Sequence, residues 1–105
     1  MRDITVEDLA ELRRAGEPLV LLDVREPAEV AIASIPGATC IPMGEIPTRL
    51  SELDRERPIA VLCHHGGRSE RVAAFLIGQG FSDVVNVDGG IDAYSARVDP
   101  AIPTY

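Results

Sequence analysis

Short apolar runs alternate along the chain with stretches in which apolar residues recur at helical spacing. The runs have the near-continuous hydrophobicity of strands that are covered on both faces of a sheet, and they occupy residues 19–24, 39–41, 59–62 and 84–87. The helical patterns predict one helix after Thr5, a short one over residues 27–32, a central one from Ser69 onward and a last one over residues 91–97. This alternation predicts an α/β fold with a parallel sheet between helices, formed by residues 1–105 as one domain.

The most informative stretch, CHHGGRS at residues 63–69, directly follows the third apolar run. Gly66 and Gly67 allow the backbone to turn sharply, and Ser69 is a residue type that caps helices, so we expect it to be the N-cap. Successive amides in such a loop point inward and form an anion nest, to which the helix N-terminus adds partial positive charge. A Cys63 thiolate would be stabilised there, with a pKa below the free value of about 8.5. We therefore interpret Cys63 as a nucleophile; the alternative is an inert buried cysteine that closes a core strand.

Composition narrows the classes of function. The net charge of −7 at pH 7 argues against nucleic acid and against an anionic membrane as partners. All basic residues are arginines, which excludes a Schiff-base mechanism and a phosphate-binding loop that depends on lysine. No apolar run approaches the ~20 residues that span a bilayer and the N-terminus does not resemble a signal peptide, so we expect a cytoplasmic protein. Cys40 and Cys63 would then stay reduced, with a disulfide between them as the less favoured alternative.

Four motifs resemble those of the rhodanese family and stand in the family's order. They are LDVRE at residues 22–26, IPGA at 35–38, CHHGGRS at 63–69 and NVDGGIDAY at 86–94. The resemblance is to single-domain rhodanese-like sulfurtransferases and covers nearly the whole chain. It implies a central five-stranded parallel sheet flanked by helices on both faces. Two places depart from the family pattern: Ala33 and Ser34 stand where Gly-His is frequent, and Cys40 stands where a polar residue is common.

The resemblance further implies a thiosulfate sulfurtransferase that uses neither a cofactor nor a metal. Cys63 would take a sulfane sulfur from thiosulfate or a persulfide, hold it as a persulfide, and pass it to cyanide or a thiol. The expected partners are a small anionic sulfur donor and a thiophilic acceptor, or a protein donor and acceptor if the chain is a persulfide carrier. The loop that would bind the substrate and the persulfide consists of His64, His65, Gly66, Gly67, Arg68 and Ser69.

Individual roles around this loop have two interpretations each. Arg68 either attracts the sulfur donor's charge or holds the loop by pairing with a carboxylate. The two loop histidines either raise the local positive potential when protonated or are tolerated polar residues; with Cys63 they also suggest zinc, which is disfavoured because no fourth ligand is apparent. Asp23 and Arg25 are expected to form a structural ion pair that supports the site, with Arg25 as an alternative lining residue at its mouth.

Two other functions remain as alternatives. Related cysteine phosphatases and arsenate reductases have a longer loop between Cys and Arg, whereas only four residues separate Cys63 from Arg68. The shorter loop leaves less room for a tetrahedral oxyanion, which favours sulfur transfer. A non-catalytic rhodanese-like binding module is the second alternative, and the presence of the cysteine in an intact loop counts against it.

Overall fold

The computed structural model describes residues 2–105. One parallel sheet has the strand order β1-β5-β4-β2-β3. Its strands are β1 (Arg2–Ile4), β2 (Val20–Asp23), β3 (Thr39–Cys40), β4 (Ile59–Leu62) and β5 (Val84–Val87). The helices are α1 (Val6–Arg14), α2 (Pro27–Ile32), α3 (Gly67–Gly78) and α4 (Gly90–Arg97), with 3₁₀ turns at Met43–Glu45 and Leu50–Glu52. Buried residues of α1 and α4 pack on one face of the sheet, and those of α3 pack on the other.

The predicted fold class is confirmed, since a five-stranded parallel sheet carries helices on both faces. Each of the four apolar runs contains a strand. The fifth strand, β1, has no apolar run, because Arg2 and Asp3 are exposed and only Ile4 is buried. Within residues 2–105, no helix is long and apolar enough to cross a membrane.

Helix α1 begins at a capping box formed by Thr5 and Asp8. The Asp8 amide donates to Thr5 Oγ1 at 3.0 Å, and the Thr5 amide donates to the Asp8 carboxylate at 3.3 Å. These bonds satisfy amides that the first helical turn leaves without partners. Val6 and Leu9 are buried against the sheet, so the helix is amphipathic and its remaining residues face solvent or are only partly covered.

Strand β4 is buried along its whole length and alternates between two cores. Ala60 and Leu62 belong to the core with α1 and α4, whereas Ile59 and Val61 belong to the core with α3. Cys63 comes next in this alternation, lies in the α3 core and is only 1% exposed. The two-residue period of the strand therefore directs Cys63 toward the α3 face of the sheet.

Helix α4 begins directly behind the loop that follows β4. The Ile91 amide donates to the Cys63 carbonyl at 2.9 Å, and the Asp92 amide donates to the His64 carbonyl at 3.1 Å. Gly90, between loop and helix, has a φ of +61°, and a Cβ on it would lie 2.4 Å from the His64 carbonyl oxygen. Glycine is required there both for the left-handed backbone and for the close approach.

We expect Gly90→Ala to lower the free energy of unfolding by about 2–4 kcal/mol, because backbone strain and overpacking add. Urea unfolding followed by circular dichroism would measure the loss. Gly44→Ala is the matched control, since a Cβ at Gly44 meets nothing within 4 Å. Similar losses in the two variants would contradict the close approach at Gly90.

Candidate active site

The loop after β4 curls around the Cys63 sulfur. The Gly66 amide donates to Cys63 Sγ at 3.0 Å, and Ser69 Oγ lies 3.3 Å from the same sulfur. Gly66 has a φ of +112°, a left-handed conformation that favours glycine. The carbonyls of Cys63 and His64 are held by α4 on the other side of the loop. The sulfur therefore accepts a hydrogen bond from a loop amide, as in the predicted anion nest, while its thiol proton can be donated to Ser69 Oγ.

The prediction that Ser69 is the N-cap of α3 is wrong. Gly66 occupies the N-cap and the helix begins at Gly67, so Ser69 lies inside the first turn and is buried. Its hydroxyl lies 3.1 Å from the Gly66 carbonyl oxygen and also bonds to the Asn86 side chain on β5. A hydroxyl has one proton but two acceptor sites, so Ser69 can accept from a Cys63 thiol or turn its proton toward a thiolate. Asn86 was not predicted as a site residue, although a polar side chain in the middle of an apolar strand was a signal for one.

The surroundings favour the thiolate form of Cys63. Burial raises the pKa of the thiol, but hydrogen bonds from the Ser69 hydroxyl and from the amides of Ser69, Gly66 and His65 outweigh burial and lower the pKa below its usual value. The direction agrees with the expectation from the loop sequence. A lower pKa increases the fraction of reactive thiolate at neutral pH.

Arg68 is held by a carboxylate from α2. Its two terminal nitrogens lie 2.7 and 2.8 Å from the two carboxylate oxygens of Glu29, the bidentate geometry in which arginine pairs most specifically. Hydrogen bonds from Arg68 are the largest cause that holds the pKa of Glu29 far below its usual range, although burial opposes them. Of the two roles considered for Arg68, the structure displays the pairing that holds the loop.

Tyr105 connects this ion pair to the rest of the site. Its hydroxyl donates to the Glu29 carboxylate at 2.8 Å and accepts from Arg25 at 2.9 Å. Its ring stacks on His64 with centroids 3.9 Å apart and an interplanar angle of 6°. Neither Glu29 nor Tyr105 was predicted as a site residue, because the contacts join positions that are distant in sequence and follow no local pattern.

The ion pair expected between Asp23 and Arg25 is present and buried, with a shortest N–O distance of 2.7 Å. Arg25 also donates to the backbone carbonyls of Ala33 at 2.7 Å and Glu29 at 3.2 Å. Arg25 thus connects the end of β2 to α2, and its side chain also donates to the Tyr105 hydroxyl. The alternative that Arg25 lines the mouth of the site is wrong, because it is absent from the cleft that contains Cys63.

An open cleft of about 340 Å³ lies above the sulfur. Its lining residues are Cys63, His64, His65, Gly67, Arg68 and Arg71. The structure thus brings most of the predicted loop together around one opening, with Gly66 and Ser69 close to the sulfur. Arg71 was not singled out from the sequence, although it stands three residues after Arg68, a spacing that places both on one side of a helix.

The loop histidines lie beside a third potential metal ligand that the sequence analysis did not include. One nitrogen from each of His64 and His65 and one carboxylate oxygen of Asp92 lie within 4.8 Å of one another, a group that could hold a metal ion. Cys63 is not part of this group, so the zinc set considered from the sequence is not the one assembled. Cys40 is exposed and Cys63 is buried, and both are free thiols, so the alternative disulfide is absent.

Comparison with protein families adds an independent observation. The model of the rhodanese-like domain matches residues 5–97. The chain belongs to the rhodanese-like domain family. The resemblance stated from the four sequence motifs is thereby confirmed, and the sheet order and helix placement described above are those of a rhodanese-like fold.

Named relatives of this rhodanese-like domain include sulfurtransferases. A sulfurtransferase of Allochromatium vinosum is 36% identical over 97% of this chain and 95% of its own length. The thiosulfate sulfurtransferase GlpE of Pseudomonas syringae is 40% identical over 87% of this chain and 84% of its own. The chloroplastic rhodanese-like/PpiC domain-containing protein 12 of Arabidopsis thaliana is 45% identical, and the chain spans 38% of its length. The relatives support a role in sulfur transfer in general.

Solved structures agree with the assignment of the chain to the rhodanese-like domain family. A rhodanese-related protein of Thermoplasma volcanium superimposes with a TM-score of 0.87 over the full length of both chains, at 33% identity. A rhodanese-like domain protein of Staphylococcus aureus gives the same TM-score over 100% of this chain and 99% of its own, at 32% identity.

We expect Glu29→Gln to lower the free energy of unfolding by about 1–2 kcal/mol at pH 7, because it replaces a bidentate ion pair. The pKa of Glu29 is depressed in the folded state, so the pair stabilises the protein above the ordinary carboxyl pKa of about 4.3 and this contribution is lost as the pH falls through the folded-state pKa. The difference between wild type and variant should therefore shrink in acid. Glu56→Gln, at an exposed carboxylate that forms no ion pair within residues 2–105, is the control for charge. An equal, pH-independent effect in both variants would refute the pairing.

Ser69→Ala should move the pH profile of Cys63 alkylation to higher pH, because the thiolate loses a hydrogen-bond donor. Rates of reaction with iodoacetamide, measured in a Cys40→Ser background, give the apparent pKa of Cys63. Ser95→Ala is the matched control, since Ser95 is a buried serine that donates to the Ile102 carbonyl away from this loop. A profile that Ser69→Ala leaves in place would show that the loop amides alone set the thiol pKa.

Proposed function

We propose that this rhodanese-like domain moves a sulfane sulfur from thiosulfate or a persulfide donor, through a persulfide on Cys63, to cyanide or a thiol. The observation that carries this function is the position of Cys63 Sγ, which receives the Gly66 amide at 3.0 Å beneath an open cleft. A sulfur nucleophile needs both thiolate character and access; the hydrogen bond to the sulfur supports the first, and the cleft that Cys63 lines supports the second.

The reaction balances without a further reactant. The Cys63 thiolate attacks the outer sulfur of thiosulfate, the S–S bond of thiosulfate breaks, and its electron pair leaves with sulfite. The outer sulfur, now a persulfide anion on Cys63, keeps the negative charge that the loop amides stabilise. Attack by cyanide on this sulfur releases thiocyanate and restores the Cys63 thiolate. The Gly66 amide and the Ser69 hydroxyl stabilise the anion at each stage, and no proton has to move.

Two further observations favour sulfur over phosphate or arsenate as the transferred group. Relatives about 40% identical to this chain are named thiosulfate sulfurtransferases. The Arg68 guanidinium is also bound to Glu29 through both terminal nitrogens, so it is not free to clamp a phosphoryl or arsenate oxygen.

The roles assigned to Asp23 and Arg25 are supporting ones, since their buried ion pair holds the end of β2 beneath Tyr105. We further propose a cytoplasmic location, in which Cys63 would stay reduced.

We expect the intact mass of the wild-type protein to rise by one sulfur atom, about 32 Da, on incubation with thiosulfate without reductant, and cyanide should remove the added mass. Cys63→Ser should gain no sulfur while keeping its circular dichroism spectrum. Cys40→Ser is the control and should load fully, because Cys40 lies on β3 away from the cleft. Sulfur loading by Cys63→Ser would exclude Cys63 as the carrier, and failure with thiosulfate and with organic persulfides would refute the sulfurtransferase assignment.

A further inference from the structure

A cluster of two histidines and one carboxylate lies where the loop after β4 meets α4. The Asp92 amide donates to the His64 carbonyl at 3.1 Å, so a backbone contact fixes the third residue of α4 against the loop. One nitrogen from each of His64 and His65 and one carboxylate oxygen of Asp92 lie within 4.8 Å of one another. The packing of α4 behind the loop therefore brings together three side chains that ligate metal ions in proteins.

Hydrogen bonds do not close this cluster. His65 Nε2 lies 3.9 Å from Asp92 Oδ2, which is beyond hydrogen-bond distance. His64 Nε2 is buried and has no hydrogen-bond partner within residues 2–105, although a buried polar atom without a partner costs free energy. Sulfur transfer as proposed above assigns no step to the two imidazoles or to Asp92. These groups are therefore uncommitted, both in the fold and in the proposed reaction.

We infer that His64, His65 and Asp92 form a binding site for a divalent transition-metal ion such as Zn²⁺, in addition to the proposed sulfur-transfer function. Two imidazoles and one carboxylate are a donor set that suits Zn²⁺, whereas Mg²⁺ and Ca²⁺ prefer sites built from oxygen ligands. The set differs from the one considered from the sequence, because a carboxylate of α4 takes the place of the Cys63 thiolate. Three protein ligands leave the fourth tetrahedral position to water.

Small side-chain rotations are sufficient to close the site. Two donor atoms on one tetrahedral Zn²⁺ lie about 3.3 Å apart, because each is about 2.0–2.1 Å from the metal. The widest donor separation, at most 4.8 Å, must therefore shrink by up to about 1.5 Å. The side chains of His65 and Asp92 are 67% and 47% exposed, so both can turn toward the ion. His64 is the fixed ligand, because its ring stacks on Tyr105 with centroids 3.9 Å apart.

A zinc titration followed through the histidine rings tests the site directly. The chain contains two histidines, so every imidazole signal of the untagged protein in a long-range ¹H–¹⁵N NMR spectrum belongs to the cluster. The titration uses the Cys40→Ser/Cys63→Ser variant, in which no thiol competes for the metal. We expect saturable one-to-one binding that shifts a ring nitrogen of each histidine, whereas Mg²⁺ at the same concentration leaves both rings unchanged.

Co²⁺ provides a second measurement that needs no substitution. It occupies the same kind of tetrahedral site as Zn²⁺, and its absorption includes a thiolate-to-metal charge-transfer band only where a cysteine is a ligand. We expect the wild-type protein to give the visible bands of bound Co²⁺ without that charge-transfer band. A charge-transfer band would instead place Cys63 among the ligands and overturn the proposed set.

A matched pair of variants separates ligation from general charge. Asp92→Asn should weaken Zn²⁺ binding by about tenfold or more, since loss of a group that only orients a ligand already costs about 10–100-fold. Asp83→Asn removes the same charge at an exposed position just before β5 and should leave the affinity unchanged. His65→Ala should weaken binding at least as much as Asp92→Asn, because it removes a ligand outright.

The outcomes that contradict the site differ from those expected at each step. Equal weakening by Asp92→Asn and Asp83→Asn, or an equal response to Mg²⁺, would assign the binding to the net charge of −7 and overturn the site. Zn²⁺ that fails to bind, or that binds without shifting the histidine rings, overturns it as well.

Discussion

The close contact between the loop after β4 and the start of α4 is the constraint on which the candidate site depends. The first amides of α4 hold the carbonyls of Cys63 and His64, and only a glycine at position 90 permits this approach. In the same loop the Gly66 amide donates to the Cys63 sulfur. The chemistry expected of the cysteine is therefore a consequence of helix–loop packing, and the thiol itself contributes only its intrinsic nucleophilicity.

Charge around the loop is divided between structural and available groups. Arg25 is buried against Asp23, and Arg68 is paired with Glu29, so both guanidiniums are committed to the protein. Tyr105 joins the two pairs through its hydroxyl. Arg71 lines the same cleft and has no ion pair among the described residues. The arginines that hold the loop are thus different from the one that lines the cleft without a carboxylate partner.

The sequence was most informative where a local pattern determines structure. Apolar runs predicted four strands because buried parallel strands are hydrophobic on both faces, and the loop composition predicted donors around Cys63. The edge strand β1 has only Ile4 buried, so no periodicity marked it. Ser69 was placed at the N-cap from its residue type, but the left-handed Gly66 takes that position and frees the hydroxyl for the sulfur. The contacts of Glu29 arise from tertiary packing, which local patterns do not encode.

The stacking of Tyr105 on His64 has a practical consequence for spectroscopy. The chain contains no tryptophan and two tyrosines, and Tyr94 is buried in the core with α1 and α4. The other tyrosine lies 3.9 Å from the ring of the residue next to Cys63. Near-ultraviolet emission of the unlabelled protein therefore comes from one fluorophore in the core and one against the loop. A chemical event at the loop can be followed optically without attaching a dye.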